Sequence, residues 1–179
     1  RFQSAAPLIE EYLATRIPEE LEHYELLVAL TEAITKEAFS NAVVEPGVTT
    51  VGDVRRFMYD ELWSHGVGTW FQPDMRVQRA GMADVGSRGF LAVAPEETVI
   101  EPGDLIHVDF GISYLGLDSD WQKMAYVLRP GEQEAPEGLV YALANTMALQ
   151  DALTLRSSRP GRTAGEAYAA TMMEMADLG

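Results

Sequence analysis

The chain has 179 residues, of which 47% are hydrophobic, and its 28 acidic and 13 basic residues give a formal net charge of −15. The acidic balance and the absence of any Lys/Arg run disfavour nucleic acid and anionic membranes as partners. The absence of cysteine excludes disulfides, thiolate nucleophiles and cysteine-ligated zinc, and no apolar stretch approaches the ~18 residues that a membrane helix needs.

Three helices are predicted in the first 66 residues. The first begins near Pro7, and the second begins at Pro18, a residue type suited to the first helical position. The second should end at the Glu-Pro-Gly sequence of residues 45–47. The third spans about 50–66 and opens with Thr-Val-Gly-Asp, a variant of the capping box in which Asp replaces Glu.

The segment that follows is less regular. Residues 70–72 and 75–77 are candidate short strands on either side of Pro73. Residues 81–103 are predicted to be a loop, because they contain four glycines and two prolines and show no long period.

The clearest pattern lies in residues 104–128. Residues 105–114 alternate almost strictly between an apolar face and a face that carries His107 and Asp109, which predicts a half-buried strand. The sequence Leu115-Gly116 is a plausible two-residue turn, after which the chain returns as a second strand.

This turn would place three carboxylates on one patch of the hairpin. Asp109 would lie opposite Gln122, so that Asp120 is its diagonal neighbour, and Asp118 would share the same face. Carboxylates this close are costly unless they are protonated or bound to a cation, and two metal ions bridged by a carboxylate would supply the cation. The alternative is that all three aspartates are solvated.

A helical pattern resumes at about residues 136–156. Residues 160–166 then repeat the sequence pattern of residues 46–53, in which Pro-Gly is followed by a Thr and an acidic residue at the start of a helix. Either this is a weak internal repeat, or it is a sequence pattern that commonly occurs between two helices. If the repeat is real, the counterpart of the hairpin would lie beyond Gly179.

The segment Glu101–Asp120 resembles the metal-binding hairpin of the pita-bread metallopeptidases, the group of methionine aminopeptidases, Xaa-Pro peptidases and creatinases. That family has a Gly-Asp pair, a hydrophobic strand, an Asp, a small turn and a second Asp eleven positions after the first. Asp109 and Asp120 match both metal-ligand positions. The resemblance is closest to Xaa-Pro-peptidase-like members and covers about residues 20–179. It implies an α+β fold with helices packed on a curved antiparallel sheet.

The resemblance also implies a function. The intact protein would remove N-terminal residues from small peptides by metal-dependent hydrolysis, with two divalent ions, manganese, cobalt or zinc, held in part by Asp109 and Asp120. The family's remaining ligands, one His and two Glu, and its acid/base group are expected after Gly179, in at least ~70 further residues. The chain alone would then be inactive. A homodimer stays open as an assembly.

Two departures from the family pattern keep alternatives open. The family carries a His 17 residues before the first Asp, where this chain has Ala92, and Trp121 begins a sequence that replaces the family's Thr-Arg-Thr. A non-catalytic pita-bread binding module and a creatinase-like C–N hydrolase are the alternative functions. His107 is either a hydrogen-bond partner of a metal ligand or a structural polar residue.

The predicted organisation is one partial catalytic domain, residues 1–179. Residues 1–19 form a lead-in, residues 20–156 form the first half with the hairpin, and residues 157–179 begin the second half. The composition leaves the compartment open, and a cytoplasmic location is favoured over a periplasmic or secreted one.

Overall fold

The computed structural model describes residues 2–81 and 92–178 and divides the chain into two compact units, Arg1–Gly131 and Glu132–Gly179. The described helices and strands of the first unit are α1 (Ala6–Ala14), α2 (Pro18–Ala38), α3 (Val51–Ser64), β1 (Asp74–Gln78), β2 (Leu105–Phe110), β3 (Ser113–Tyr114), β4 (Leu117–Asp118) and β5 (Trp121–Tyr126). Of the predicted loop 81–103, residues 82–91 lie outside the described part. None of the helices described is long and apolar enough to cross a bilayer.

Helix α2 begins at Pro18 as predicted but ends at Ala38, before the Glu-Pro-Gly sequence. The reason is local competition for hydrogen bonds by Ser40. Its hydroxyl donates to the Glu37 carbonyl at 2.8 Å and accepts the Ala42 amide at 3.2 Å. A serine that bonds to nearby backbone groups offers the chain an alternative to the helical ladder.

Helix α3 has the predicted capping box. The Asp53 amide donates to the Thr50 hydroxyl at 3.1 Å, and the Thr50 amide donates to the Asp53 carboxylate at 2.8 Å. The Thr50 hydroxyl also donates to the Asp53 carboxylate at 2.6 Å, and this hydrogen bond, together with that of the Thr50 amide, holds the pKa of the Asp53 carboxyl below its usual value. Two of the amides that have no partner inside the helix are thus satisfied reciprocally.

We expect Thr50→Ala to lower the free energy of unfolding by about 1 kcal/mol at neutral pH, because an N-cap hydroxyl is lost. The folded-state pKa of Asp53 is depressed. The stability that the ionised Asp53 carboxylate contributes is therefore present above the unfolded-state pKa and is lost as the pH falls through the folded-state pKa. The deficit of the variant should therefore shrink in acid. Urea unfolding across the acid range measures this, and a deficit that does not change with pH would refute it.

The main sheet is antiparallel, with strand order β1-β2-β5. The predicted register is confirmed, since Tyr114 pairs with Leu117 and Asp109 pairs with Gln122. The connecting turn has φ of 52° at Leu115 and 78° at Gly116, as a type I′ turn requires at both central positions.

The sheet departs from the prediction in two places. The hairpin is interrupted on both sides, at residues 111–112 and 119–120, so that each predicted strand becomes two. Of the two candidate strands around Pro73, only the second forms, as β1, whereas residues 70–72 are not a strand.

The apolar face of β2 forms the centre of the core. Ile106, Val108 and Phe110 are at most 1% exposed. They join buried residues of α2 and α3 in one hydrophobic cluster. The opposite face of β2 is therefore free to carry polar side chains.

The second unit is helical. It contains α4 (Glu137–Asp151), a π-helical segment (Ala152–Ser157) and α5 (Ala164–Leu178). The Thr163 amide donates to the Glu166 carboxylate at 2.8 Å, and the Glu166 amide donates to the Thr163 hydroxyl at 3.3 Å, so this capping box also forms.

The two halves of the predicted repeat share local geometry. Gly47 and Gly161 have φ of 85° and 88°, and each precedes a reciprocal capping box. The single-domain organisation with boundaries at 19 and 156 stays a prediction.

Candidate metal centre

The polar face of the sheet gathers acidic side chains around Asp109. Its cross-strand neighbours are Asp74 on β1 and Gln122 on β5. Asp120 immediately precedes β5, and it lies close enough to Asp109 for its charge to raise the pKa of the Asp109 carboxyl. The structure thus brings the two predicted ligands, Asp109 and Asp120, to one place.

The Asp109 carboxylate has an incomplete set of hydrogen bonds among the described residues and a raised pKa. One oxygen, Oδ2, accepts the Gln122 side-chain amide at 3.1 Å, and the other, Oδ1, is buried without a hydrogen-bond partner among the described residues. Burial raises the pKa of Asp109, and the charge of Asp120 raises it further, against the opposing effects of Arg76 and His107. A bound cation would attract both carboxylates and so offset the repulsion between Asp109 and Asp120.

Asp74 is a third carboxylate of this face, and the sequence did not reveal it. Its Oδ2 accepts the Arg76 guanidinium at 2.7 Å, while Oδ1 is buried without a partner in the described part of the chain. Its charge also raises the pKa of Asp109. Like charges directly opposite on neighbouring strands are destabilising, so the Asp74–Asp109 pair marks a place where a cation would be favourable.

Asp118 pairs with Ser113, as the spacing of the hairpin predicts. It is exposed, and the Ser113 hydroxyl on the paired strand donates to it.

His107 is connected to Asp109 through Gln122. Nε2 of His107 is 3.2 Å from the side-chain oxygen of Gln122, and the side-chain nitrogen of Gln122 donates to Asp109. Because the Gln122 oxygen can only accept, Nε2 of His107 carries the proton in this arrangement. Both roles considered for His107, a hydrogen-bond partner of a metal ligand and a structural polar residue, stay predictions.

The aromatic residues next to the hairpin have separate roles. Trp70 packs edge-to-face on Phe71 with ring centroids 4.5 Å apart, and its Nε1 donates to the Ser119 carbonyl at 2.8 Å. Trp121 is paired with Phe110, on the core side of the sheet. Trp70 therefore contacts the residue that precedes Asp120, whereas the Trp121 ring contacts the Lys123 ammonium, 4.6 Å from the ring centroid.

The donors present fit one side of a site for divalent metal ions. Carboxylate oxygens suit such ions, and Asp74 and Asp109 each hold a buried oxygen without a hydrogen-bond partner in the described residues. Across residues 2–81 and 92–178, however, no group of three or more His, Asp or Glu side chains is arranged to hold an ion. A complete coordination sphere thus requires donors beyond these.

The sequence profile of Metallopeptidase family M24 matches residues 22–179. The chain belongs to metallopeptidase family M24. The match covers most of the chain and includes the hairpin with Asp109 and Asp120. The predicted family is therefore confirmed. No curated protein sequence shows significant similarity to the chain.

Solved structures confirm the predicted pita-bread fold. X-Pro aminopeptidase from Thermotoga maritima is similar over 97% of this chain and 45% of its own, with 16% identity and a TM-score of 0.73. Xaa-Pro dipeptidase from Bacillus anthracis is similar over 99% of this chain and 45% of its own, with 23% identity and a TM-score of 0.71. Prolidase from Pyrococcus furiosus is similar over 99% of this chain and 48% of its own, with 21% identity and a TM-score of 0.64. The chain spans less than half the length of each.

The Gly-Asp pair of the M24 hairpin has a structural role. Asp104 is 0% exposed, and its two oxygens accept Nε and Nη2 of Arg79, each at 2.7 Å. One of them also accepts the Glu101 amide at 2.8 Å. The ion pair between Arg79 and Asp104 connects the residue after β1 to the residue before β2. The hydrogen bonds from Arg79 to Asp104 also hold the pKa of Arg79 above its usual value.

Proposed function

We propose that the intact protein is a metal-dependent hydrolase that removes N-terminal residues from peptides, with Xaa-Pro aminopeptidase or dipeptidase-like specificity and a dinuclear metal centre. The observation that carries the proposal is the proximity of Asp109 and Asp120 in a chain of metallopeptidase family M24. Similar structures include an X-Pro aminopeptidase and an Xaa-Pro dipeptidase, which supports this substrate class.

In this proposal Asp109 and Asp120 hold the metals, which are manganese, cobalt or zinc. When bound, two such ions would activate a water molecule and stabilise the charge that develops on the scissile carbonyl. Gln122 donates to Oδ2 of Asp109 and leaves Oδ1 without a described partner. Arg76 holds Asp74 through its Oδ2. The sheet therefore orients carboxylate oxygens before any ligand arrives.

The remaining parts of the centre are proposed to come from the rest of the protein. A His and two Glu would complete the coordination, and one of the Glu would act as acid/base group. Two carboxylates cannot fill two coordination spheres, so residues 1–179 alone are not expected to hydrolyse peptides.

The main alternative is a non-catalytic binding module of the same fold. Ala92 supports it, because this position, where the family pattern has a histidine, carries a methyl group that can neither form a hydrogen bond with a substrate nor donate a proton. The two retained aspartates favour the enzyme.

Chelation followed by metal return separates these functions. We expect the intact protein to lose activity on a panel of dipeptides and Xaa-Pro peptides when it is stripped with a chelator, and to regain activity with manganese, cobalt or zinc. Metal content is measured on the same samples. A wild-type protein that is metal-free and inactive throughout would support the binding module instead.

A further inference from the structure

Ser119, the residue before Asp120, is bonded at each of its polar groups. Its amide donates to the Ile112 carbonyl at 2.9 Å, and its carbonyl accepts Nε1 of Trp70 at 2.8 Å. Its hydroxyl accepts the Ile112 amide at 2.9 Å and lies 2.7 Å from the Thr31 hydroxyl of α2. Ser119 is also buried, with 4% exposure. Four contacts from three segments thus fix one residue next to the predicted ligand.

The direction of the hydroxyl hydrogen bonds follows from proton counting. The Thr31 hydroxyl donates to the Leu27 carbonyl at 2.7 Å, which uses its one proton. The Ser119 hydroxyl must therefore donate to Thr31 while it accepts from Ile112. A continuous chain runs from the Ile112 amide through both hydroxyls to the backbone of α2. Such a buried chain is strong only while every member is satisfied.

The backbone around Ser119 is packed without spare room. A Cβ atom added to Gly111 would lie 2.2 Å from the Ser119 carbonyl oxygen and 2.4 Å from Nε1 of Trp70. The Gly111 carbonyl accepts the Thr69 hydroxyl at 2.6 Å. This close approach occurs where both sides of the hairpin are interrupted, so here the sheet ladder does not direct the chain and these contacts do.

We propose that Thr31, Ser119 and Trp70, the Ser119 anchor, are positioning residues that hold the Asp120 carboxylate in place for divalent metal binding. Asp120 is exposed and lies outside the strand ladder, so its direction depends on the residue before it. A metal ligand must be held within a fraction of an ångström, which needs supporting contacts of this kind. The inference rests on the proposed metal centre and adds α2 to it.

The test is manganese binding by the intact protein, measured by titration calorimetry, with thermal unfolding of the metal-free protein alongside. Thr31→Val keeps the shape and removes the hydroxyl, and Thr31→Ser restores the hydroxyl. Thr35→Val is the matched control, because Thr35 is equally buried on α2 and its hydroxyl donates to the backbone of Thr31 at 2.8 Å. Trp70→Phe removes the indole N–H from the other side of the anchor.

We expect Thr31→Val and Trp70→Phe to raise the Kd for Mn²⁺ by about tenfold or more, whereas Thr31→Ser and Thr35→Val stay within about twofold of wild type. If Thr31→Val does not fold, Trp70→Phe carries the test alone. Unchanged Mn²⁺ binding in Trp70→Phe, or equal weakening in Thr35→Val, overturns the anchor.

The failure of the metal centre itself has a different signature. If wild type binds no Mn²⁺, or if Asp109→Asn binds it as wild type does, both proposals fall. If Asp109→Asn abolishes binding while the anchor variants bind normally, only the anchor falls.

Discussion

Replacement of Asp104 by alanine is expected to lower the free energy of unfolding by about 3 kcal/mol, because removing one partner of a buried ion pair leaves the other charge uncompensated. The Asp104 side chain is fully buried, and it accepts two hydrogen bonds from Arg79 and one from the Glu101 amide. The Arg79 side chain is 37% exposed, so water recovers part of the loss, and the cost should fall at the low end of the range for buried pairs.

The control is Asp118→Ala, which removes an exposed aspartate from the same hairpin. Its effect should stay within about 0.5 kcal/mol, as for ordinary surface substitutions. Denaturant unfolding of both variants gives the comparison. Equal costs for the two variants would show that Asp104 does not anchor the strand.

Asp109→Asn in the intact protein should abolish most turnover. Substitution of a residue that only supports a metal ligand costs 10–100-fold, so loss of a ligand should cost about 100-fold or more in kcat/KM. The amide keeps the shape of the side chain and removes a negative charge. Asp118→Asn is the matched control, since it makes the same chemical change at an exposed position of the hairpin.

The stability of the metal-free variant should move in the other direction. The folded-state pKa of Asp109 is raised, first by burial and then by Asp120, so its ionisation disfavours folding as the pH rises through that pKa. Metal-free Asp109→Asn should therefore be at least as stable as wild type at neutral pH, and the difference should close in acid. Full activity in Asp109→Asn would contradict the metallopeptidase proposal, and a large loss of stability would contradict the electrostatic argument.

The register of the hairpin could be predicted from the sequence because it depends on local features. The alternation of residues 105–114 fixes which face is buried, and the turn at Leu115-Gly116 fixes the pairing, so that Asp109 falls opposite Gln122. A one-residue slip would have moved every side chain to the other face. The same two features bring the segment that contains Asp120 next to Asp109.

The contribution of Asp74 could not be predicted in the same way. It stands at the start of β1, and its pairing with Asp109 joins strands that are far apart in the sequence, since β1 ends at Gln78 and β2 begins at Leu105. No turn of fixed length sets that register, and β1 offers only a short apolar pattern. An aspartate after a proline at a strand boundary also reads as an ordinary loop residue.

The Ser119 anchor was hidden for a related reason. The contact between Thr31 and Ser119 spans 88 residues, and a threonine inside a helix gives no sign that its hydroxyl faces a distant loop. The interruption at Gly111 was also not visible, because alternation continues through it in the sequence. Tertiary packing, rather than local propensity, decides both features.

The most direct test of the central claim is a crystal structure of the intact protein grown with Mn²⁺, with anomalous diffraction used to locate the ions. The account predicts two anomalous peaks on the polar face of the sheet, with carboxylate oxygens of Asp109 and Asp120 each about 2.1 Å from a metal ion. Peaks located elsewhere, or an Mn²⁺-saturated crystal in which Asp109 and Asp120 touch no metal, would contradict it.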